Sequence, residues 1–367
     1  MTEILQTIGS VTGISLVLAI IISLAEKWLN NYGEVTIDIN KGKRSFKVQG
    51  GQSLLSTLAD QKIFIPSACG GKATCGLCKV QVLAGTGPIL PTELPFLNAQ
   101  EQKDNVRLSC QVKVKNDMAV MVPEALFNIK EFIAQVEKIT DQTHDTKLLR
   151  LKLPPGETIT FKAGQFVQLY TKPYGKIKET VFRAYSIASP PSDNEHVDLI
   201  IRLVPGGIAT GYVHEALKEG DDLRISGPYG DFYLRGEETD ELIMIAGGSG
   251  LAPIRSLLYD ITEKELPFDI RFFFGAATIR DIYAEAEMAE IEKRNPRFKF
   301  IPALSDSREG DGWAGEKGRI TEVVERHVAN ANRKQAYLCG SPGMLEACIK
   351  VLHGKGFTDE AIFYDKF

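Results

Sequence analysis

The chain has 367 residues, 44% hydrophobic and 25% charged, which is the composition of a globular protein with room for roughly two to three domains. A formal net charge of −4 without any basic block gives no electrostatic reason to expect a nucleic-acid partner. Six cysteines in so long a chain are too few for a disulfide scaffold, so their spacing carries the information.

The N-terminus departs from that average. Ile4–Leu24 runs for 21 residues without a charge, about what a helix needs to cross a bilayer. Its polar side chains are only Gln, Ser and Thr, which helices in lipid tolerate. Glu3 precedes it, and Lys27, Lys41, Lys43 and Arg44 follow, so the positive-inside rule keeps the body of the chain in the cytoplasm. Trp28 and Tyr32 suit an interfacial aromatic belt. Two other readings stay open. Ser23-Leu24-Ala25 could serve as a signal-peptide cleavage site, although the basic start is lacking. A buried soluble helix would show a polar face, which Ile14–Ile22 hardly does. The expectation is a single-pass anchor over residues 1–30 in the inner (cytoplasmic) membrane.

Residues 31–128 read as a small sheet domain built around four cysteines. Glu34–Asn40 and Ser45–Gln49 alternate apolar and polar residues, which predicts a hairpin turning at Lys41-Gly42. Ser53–Gln61 has helical spacing, with Ser53 as N-cap. Lys79–Leu83 and Asp117–Val122 read as strands. Cys69, Cys75 and Cys78 share one loop, spaced C-x5-C-x2-C, and Cys110 follows 32 residues later. Four cysteinates are the ligand set of a [2Fe–2S] cluster. The loop glycines let backbone N–H groups turn toward the sulfurs. A structural zinc site would show two C-x2-4-C pairs, and here there is one. Strands, helix and cysteine loop in this order resemble the β-grasp fold of [2Fe–2S] ferredoxins.

Residues 129–236 turn to short strands at Phe132–Ile139, Thr146–Leu153, Gln165–Tyr170, Ala184–Ala188, His196–Val204 and Asp222–Ser226. Pro- and Gly-rich turns separate them, the pattern of a closed antiparallel barrel. From residue 237 strands and helices alternate. Leu242–Ala246 is a strand, and a helix starts at Pro253. Asp269–Gly275, Lys299–Leu304 and Ala336–Cys339 are strands; Ala284–Arg294, Ile320–His327 and Gly343–His353 are helices. That is a parallel α/β domain.

Four short motifs in these two domains point to chemistry. In Arg183-Ala184-Tyr185-Ser186, strand alternation puts Arg183 and Tyr185 on one face and Ser186 on the other. A cation for pyrophosphate, an aromatic ring for stacking and a hydroxyl for a ring nitrogen suit a flavin. By itself the tetrapeptide also fits an ordinary half-buried strand. Gly207-Ile208-Ala209-Thr210 leads into a helix over Val213–Leu217, with Thr210 as its cap, where N–H groups can meet a phosphate. Gly247-Gly248-Ser249-Gly250-Leu251-Ala252-Pro253 follows an apolar strand and opens a helix with Pro253 at its first position. This is the setting of a dinucleotide site, with proline in place of the last glycine. Cys339-Gly340-Ser341-Pro342 ends a later strand, so both turns lie at the carboxyl edge of one sheet. Taken alone, Cys339 fits a small buried residue equally well, and Cys348 reads as that only.

In this order the motifs resemble the ferredoxin–NAD(P)H reductase superfamily with a fused N-terminal [2Fe–2S] ferredoxin. The anchor and the x5 cysteine spacing make the chain similar to the F-subunit family of Na+-translocating NADH:quinone oxidoreductases, over nearly its whole length. The resemblance implies an NADH dehydrogenase that passes electrons from NADH to FAD to the cluster. Other subunits of a membrane redox complex would carry them on to ubiquinone, coupled to sodium transport. It implies that Cys69, Cys75, Cys78 and Cys110 ligate the cluster. It places Arg183, Tyr185 and Ser186 on FAD, with Gly207 and Thr210 on its pyrophosphate. Gly248, Gly250 and Pro253 would shape the NADH site, and Cys339, Gly340 and Pro342 would line the nicotinamide. The terminal aromatic, Phe367, would cover the flavin until nicotinamide displaces it, so Tyr185, Ser186, Cys339 and Phe367 are expected at the reacting centre. The stretch between Gln165 and Arg183 is shorter than in the family's flavin domain. Arg280 and Arg308 stay open as readers of a 2′-phosphate, which would favour NADPH. Two further functions stay open: electron supply to an oxygenase or other redox partner, and a non-catalytic membrane-anchored metal module.

Overall fold

The computed structural model describes residues 12–21, 32–236, 238–308, 310 and 312–366, which divide into two compact units, Met1–Asn128 and Ile129–Phe367. Residues 12–21 form a helix, α1, exposed along its length. Among the described residues no helix is long and apolar enough to cross a membrane. The remainder of the expected anchor, residues 1–11 and 22–30, lies outside the described residues, as does Phe367.

In the first unit the hairpin forms as its alternation dictates. β1 (Glu34–Ile39) buries Val35, Ile37 and Ile39 and pairs antiparallel with β2 (Arg44–Gln49). α2 (Leu54–Asp60) starts at Ser53, whose Oγ accepts the Ser56 N–H at 3.2 Å, and buries Leu54, Leu55 and Leu58. After the cysteine loop come β3 (Lys79–Ala84), α3 (Ala99–Lys103), β4 (Val106–Leu108) and β5 (Met118–Met121). The sheet order is β2-β1-β5-β3-β4, with β1 and β5 parallel and the other pairs antiparallel. This is the mixed sheet expected of a β-grasp domain. α3 and β4 were not expected, being too short to show a period. Asn98 and Glu101 nevertheless form a full capping box ahead of α3.

The second unit begins with β6 (Lys130–Asp141), β7 (Thr146–Lys152), β8 (Phe166–Tyr170), β9 (Phe182–Ser186) and β10 (His196–Arg202). α4 (Ile208–Gly211) runs into a π-turn at Tyr212–Ala216, and β11 (Asp222–Tyr229) follows. The six strands lie in the order β10-β7-β6-β11-β8-β9, and an Ile187–Leu199 bridge joins the two ends. The barrel therefore closes around Leu149, Leu151, Val167, Leu169, Val197, Leu199, Leu223 and Ile225, all fully buried. One local expectation fails. The helix starts at Ile208 with Gly207 as N-cap, and Thr210 lies inside its first turn. The Thr210 hydroxyl is already taken by the preceding loop, where it accepts the Val204 N–H at 3.1 Å. The cap therefore falls three residues earlier than expected.

The rest of this unit is β12 (Glu241–Gly247), α5 (Leu251–Glu263), β13 (Asp269–Ala276), α6 (Glu285–Arg294), β14 (Phe298–Leu304), β15 (Glu316–Lys317), α7 (Ile320–His327), β16 (Lys334–Gly340), α8 (Pro342–Gly354) and β17 (Ile362–Lys366). All neighbours in the sheet, ordered β15-β14-β13-β12-β16-β17, are parallel. The order reverses between β12 and β16, and such a switch point, at the carboxyl ends of the strands, is where open parallel sheets bind ligands. α5 starts at Leu251, so Pro253 sits third in the helix and not first. It remains in the first turn, where a missing N–H breaks no helical bond.

One buried ion pair organises the first unit. The side chains of Arg107 and Glu93 are 2% and 0% exposed, with Nη2 2.6 Å from Oε2. Arg107 also donates to Thr86 Oγ1 (2.8 Å), Gly87 O (2.8 Å) and Pro88 O (3.1 Å). Glu93 accepts the N–H groups of Leu90 and Leu108, each at 2.9 Å. Burial alone would raise the Glu93 carboxyl, but these hydrogen bonds outweigh it and hold the group below its ordinary value. Removing one partner strands the other charge in the core, which typically costs about 3–5 kcal/mol. Arg107→Met should therefore lower the opening free energy read by native-state hydrogen exchange at the β3–β5 amides by about that amount. Lys43→Met, at the exposed Lys43–Glu124 pair, should change it by less than about 1 kcal/mol. Equal effects of the two substitutions would refute the assignment.

Candidate functional site

The four cysteines of the first unit gather as two pairs. The Cys75 thiol donates to Cys69 Sγ at 3.4 Å. Cys78 and Cys110 form the second pair, joined thiol to thiol, and the Ser109 N–H bonds the Cys78 carbonyl at 2.8 Å. The hydrogen bond from Cys75 pulls Cys69 down to about 3 and pushes Cys75 up. In the other pair the bond from Cys78 draws Cys110 down to about 7 while Cys78 rises. Backbone N–H groups point at the sulfurs. Lys72 donates to Cys69 at 3.2 Å, Thr74 also reaches Cys69, Leu77 reaches Cys75 and Ala73 reaches Cys110.

Gly76 lets the loop pass beneath Phe96. Its φ is +69°, and a Cβ there would lie 2.7 Å from the Phe96 ring. The Ser109 hydroxyl is buried and makes no hydrogen bond of normal geometry, yet it lies close enough to Cys78 to lower that thiol. Among the described residues, no three His, Cys, Asp or Glu side chains converge as a single metal ion requires. Two thiol pairs with amide donors around them instead fit a two-iron cluster, which takes two thiolates at each iron.

In the second unit, β9 carries Arg183, Tyr185 and Ser186. The Arg183 guanidinium bonds the Phe182 carbonyl at 2.7 Å and, among the described residues, has no carboxylate partner. A half-buried cation without a counter-charge fits a phosphate. Tyr185 packs against the barrel core, and burial pushes its hydroxyl up. Ser186 is buried, and its Oγ lies 3.5 Å from Asp365 Oδ2 on β17.

The nucleotide-type turns meet at the switch point of the parallel sheet. Cys339 on β16 lies between Ala246 of β12 and Asp365 of β17. Gly250 approaches it so closely that a Cβ would lie 2.2 Å from the Cys339 carbonyl oxygen. Gly248 offers its carbonyl to the Tyr283 hydroxyl at 2.7 Å. Gly340 ends β16, and Pro342 opens α8. Burial pushes the Cys339 thiol well above its ordinary value, with help from the Asp365 carboxylate. Cys339 is thus a neutral thiol and not an activated nucleophile. Cys348 is buried on α8 and packs in a different core cluster from Cys339.

The structure therefore brings Ser186, Gly250 and Cys339 to one place through Asp365, which the motifs did not single out. Its one sequence signal is an acidic residue in the final strand. Arg280 is exposed, and Arg308 pairs with Asp306 at 3.6 Å. Tyr283, which anchors Gly248, also went unmarked; an aromatic in a loop carries no local signal.

Comparison with known proteins finds three domain families along the chain. Residues 37–115 match the model of the 2Fe-2S iron-sulfur cluster binding domain. Residues 133–233 match the oxidoreductase FAD-binding domain, and 244–350 the oxidoreductase NAD-binding domain. Among solved structures, the Amycolatopsis cytochrome P450 reductase GcoB superposes with a TM-score of 0.72 at 28% identity, covering 91% of this chain and 98% of that one. The ferredoxin reductase in carbazole 1,9a-dioxygenase superposes with a TM-score of 0.70 at 25% identity and the same coverage. The F subunit of the Na(+)-translocating NADH-quinone reductase of Serratia proteamaculans is 35% identical, covering 100% of this chain and 99% of that protein. That alignment runs to 407 positions against 367 residues here, so the relative carries segments this chain lacks. The corresponding F subunit of Neisseria meningitidis serogroup B is likewise 35% identical, with the same coverage. The chain is an NADH oxidoreductase that moves electrons from NADH through FAD to a [2Fe–2S] cluster, and it belongs to the F-subunit family of Na(+)-translocating NADH-quinone reductases.

Proposed function

We propose that this chain is the NADH-oxidising entry module of a sodium-translocating NADH:quinone reductase, anchored by residues 1–30 at the cytoplasmic face of the inner membrane. Residues 31–128 carry the cluster, 129–236 the flavin and 237–367 the NADH site. Other subunits take the electrons on to ubiquinone. The end-to-end match to the F-subunit proteins carries this reading, because it spans the N-terminal segment as well as the redox domains.

Bound flavin supplies the exchange between a two-electron donor and one-electron acceptors, and the bound cluster carries one electron at a time. The protein's residues bind and align. Arg183 offers its guanidinium to the flavin pyrophosphate, helped by the backbone at Gly207 and Thr210. Tyr185 presents its ring to the isoalloxazine. Ser186 Oγ, within reach of Asp365 Oδ2, holds a proton that it can direct to a flavin ring nitrogen. Gly248, Gly250 and Pro253 shape the turn under the NADH pyrophosphate. Cys339, Gly340 and Pro342 line the nicotinamide, with the Cys339 thiol kept neutral by burial. Phe367 covers the flavin when nicotinamide is absent. Cys69 and Cys75 hold one iron, and Cys78 and Cys110 the other. A second reading, electron supply to an oxygenase, is favoured by the likeness to two oxygenase-system reductases.

Three experiments test these assignments. Cys78→Ala should abolish the low-temperature paramagnetic signal of the dithionite-treated protein. It should leave FAD content and NADH–ferricyanide activity in place; a surviving signal would remove Cys78 from the ligand set. In Gly250→Ala the new methyl meets backbone and no rotamer relieves it, so KM for NADH should rise at least about tenfold with cluster and flavin retained. An unchanged KM would put the nucleotide elsewhere. Deleting residues 1–30 should end NADH-driven quinone reduction in membranes while sparing ferricyanide reduction. If quinone reduction persists, the anchoring role of residues 1–30 is refuted.

A further inference from the structure

The end of the flavin strand and the first turns of α5 are bolted together. Ala188 and Ser189 follow β9 directly, two and three residues past Ser186. Arg255 and Ser256 are consecutive residues of α5, the helix opened by the Gly248–Gly250 turn. Arg255 Nη1 donates to the Ala188 carbonyl at 3.0 Å, and Ser256 Oγ donates to the Ser189 carbonyl at 2.7 Å. Adjacent donors therefore meet adjacent acceptors, which fixes rotation as well as separation. A single bond would leave a pivot.

Two carboxylates complete the joint, one from each side. Arg255 Nη1 lies 3.2 Å from Asp198 Oδ2 on β10, and its Nε lies 2.6 Å from Glu287 Oε1 on α6. Arg150 on β7 holds the other Asp198 oxygen at 2.9 Å, and the Asp198 N–H donates to the Ser189 hydroxyl at 3.2 Å. The Tyr259 hydroxyl donates to Glu287. The side chains of Arg255 and Asp198 are only 12% and 7% exposed, so solvent screens them little. Without the guanidinium, Asp198 and Glu287 would lose their shared counter-charge, and the barrel and sheet sides would be pushed apart.

We propose that Arg255, with Ser256, is a positioning residue for electron transfer from NADH to flavin: the joint sets the spacing between the flavin strand and the nucleotide turn. This rests on the reading that Tyr185 and Ser186 face the flavin and that the Gly248–Gly250 turn holds NADH. The reaction it governs is NADH giving a hydride, two electrons and a proton, to the flavin and leaving as NAD+. Reactive geometry tolerates little error, and a shift of about 1 Å costs on the order of a hundredfold in rate.

The test uses the full-length protein with three substitutions. Arg255→Lys keeps the charge but cannot span both carboxylates and a carbonyl. Ser256→Ala deletes one hydroxyl and decides the matter alone should Arg255→Lys fail to fold. Flavin bleaching by saturating NADH, measured per bound flavin, should slow about 10- to 100-fold in Arg255→Lys and about 3- to 10-fold in Ser256→Ala. KM for NADH should stay within about twofold. In flavin-free protein, hydrogen exchange at the Ala188 and Asp198 amides should quicken in both. A merely stabilising role would lower thermal stability and leave the rate per flavin unchanged, and that result overturns the proposal. Ser186→Ala separates the two levels. If it leaves bleaching untouched, the flavin-strand reading fails; if it slows bleaching while the joint variants do not, only the joint is refuted.

Discussion

The second unit depends on one close approach, Gly250 against the carbonyl of Cys339. A side chain at 250 would sit 2.2 Å from that oxygen, so the turn after β12 can lie on the end of β16 only because residue 250 has none. The contact falls where the strand order reverses, and β17 lies beyond it with Asp365 opposite Cys339. Asp365 in turn reaches Ser186 on the barrel. Four segments far apart in sequence thus meet within a few bonds of each other. Within the sheet the meeting is enforced by backbone packing against the buried strand β16, and the barrel joins it through the Asp365 carboxylate. Packed backbone holds position better than exposed ion pairs do.

The first unit solves a different problem by different means. On the proposed reading four sulfurs must be held near one another as thiolates, and like charges at short range repel. The loop answers with backbone N–H donors from Lys72, Thr74, Leu77 and Ala73. Cys110 comes from a separate segment, and its register is set by Leu108, whose N–H is bound by Glu93. The Arg107–Glu93 pair therefore acts on the thiol geometry through two residues of backbone. A hydrophobic pair of the same volume can pack as well in such a core, but it would not bind the Leu108 N–H or the carbonyls of Gly87 and Pro88.

Features with a local physical cause were legible in the sequence, and features with a distant one were not. The spacing of the three loop thiols, the β1–β2 hairpin and the Ser53 cap each rest on residues close together in the chain. The closed barrel and the parallel sheet follow from alternation and from turn residues. Thr210 misled because a threonine hydroxyl serves equally as a cap and as a partner for the loop behind it; which one wins depends on Val204. Pro253 misled by two residues because proline is tolerated throughout the first turn. Asp365, Glu93 and Arg255 were invisible as site residues. The Ser186 partner of Asp365 is 179 positions away, the Arg107 partner of Glu93 is 14 away and the partners of Arg255 are 32 to 67 away, and an isolated charge in a sequence carries no sign of burial.

The nature of the reaction explains which residues recur. Electron delivery from NADH needs no strong base and no charged nucleophile, and the residues gathered at the switch point supply neither. Cys339 is neutral by burial, and Tyr185 is held protonated. Chemistry that asks little of proton transfer asks more of distance, because the rate then rests on alignment. A fold meeting that demand should put its buried charges where they fix one element against another, away from the reacting atoms. The distribution agrees. The part-buried arginine of the barrel–sheet boundary, Arg255, ties α5 to the Ala188 carbonyl just past Ser186, while the flavin strand's own arginine, Arg183, is left without a carboxylate among the described residues. Charge serves rigidity at the joint and stays available for a ligand at the strand, and on the proposed reading those two uses define the division of labour in this half of the chain.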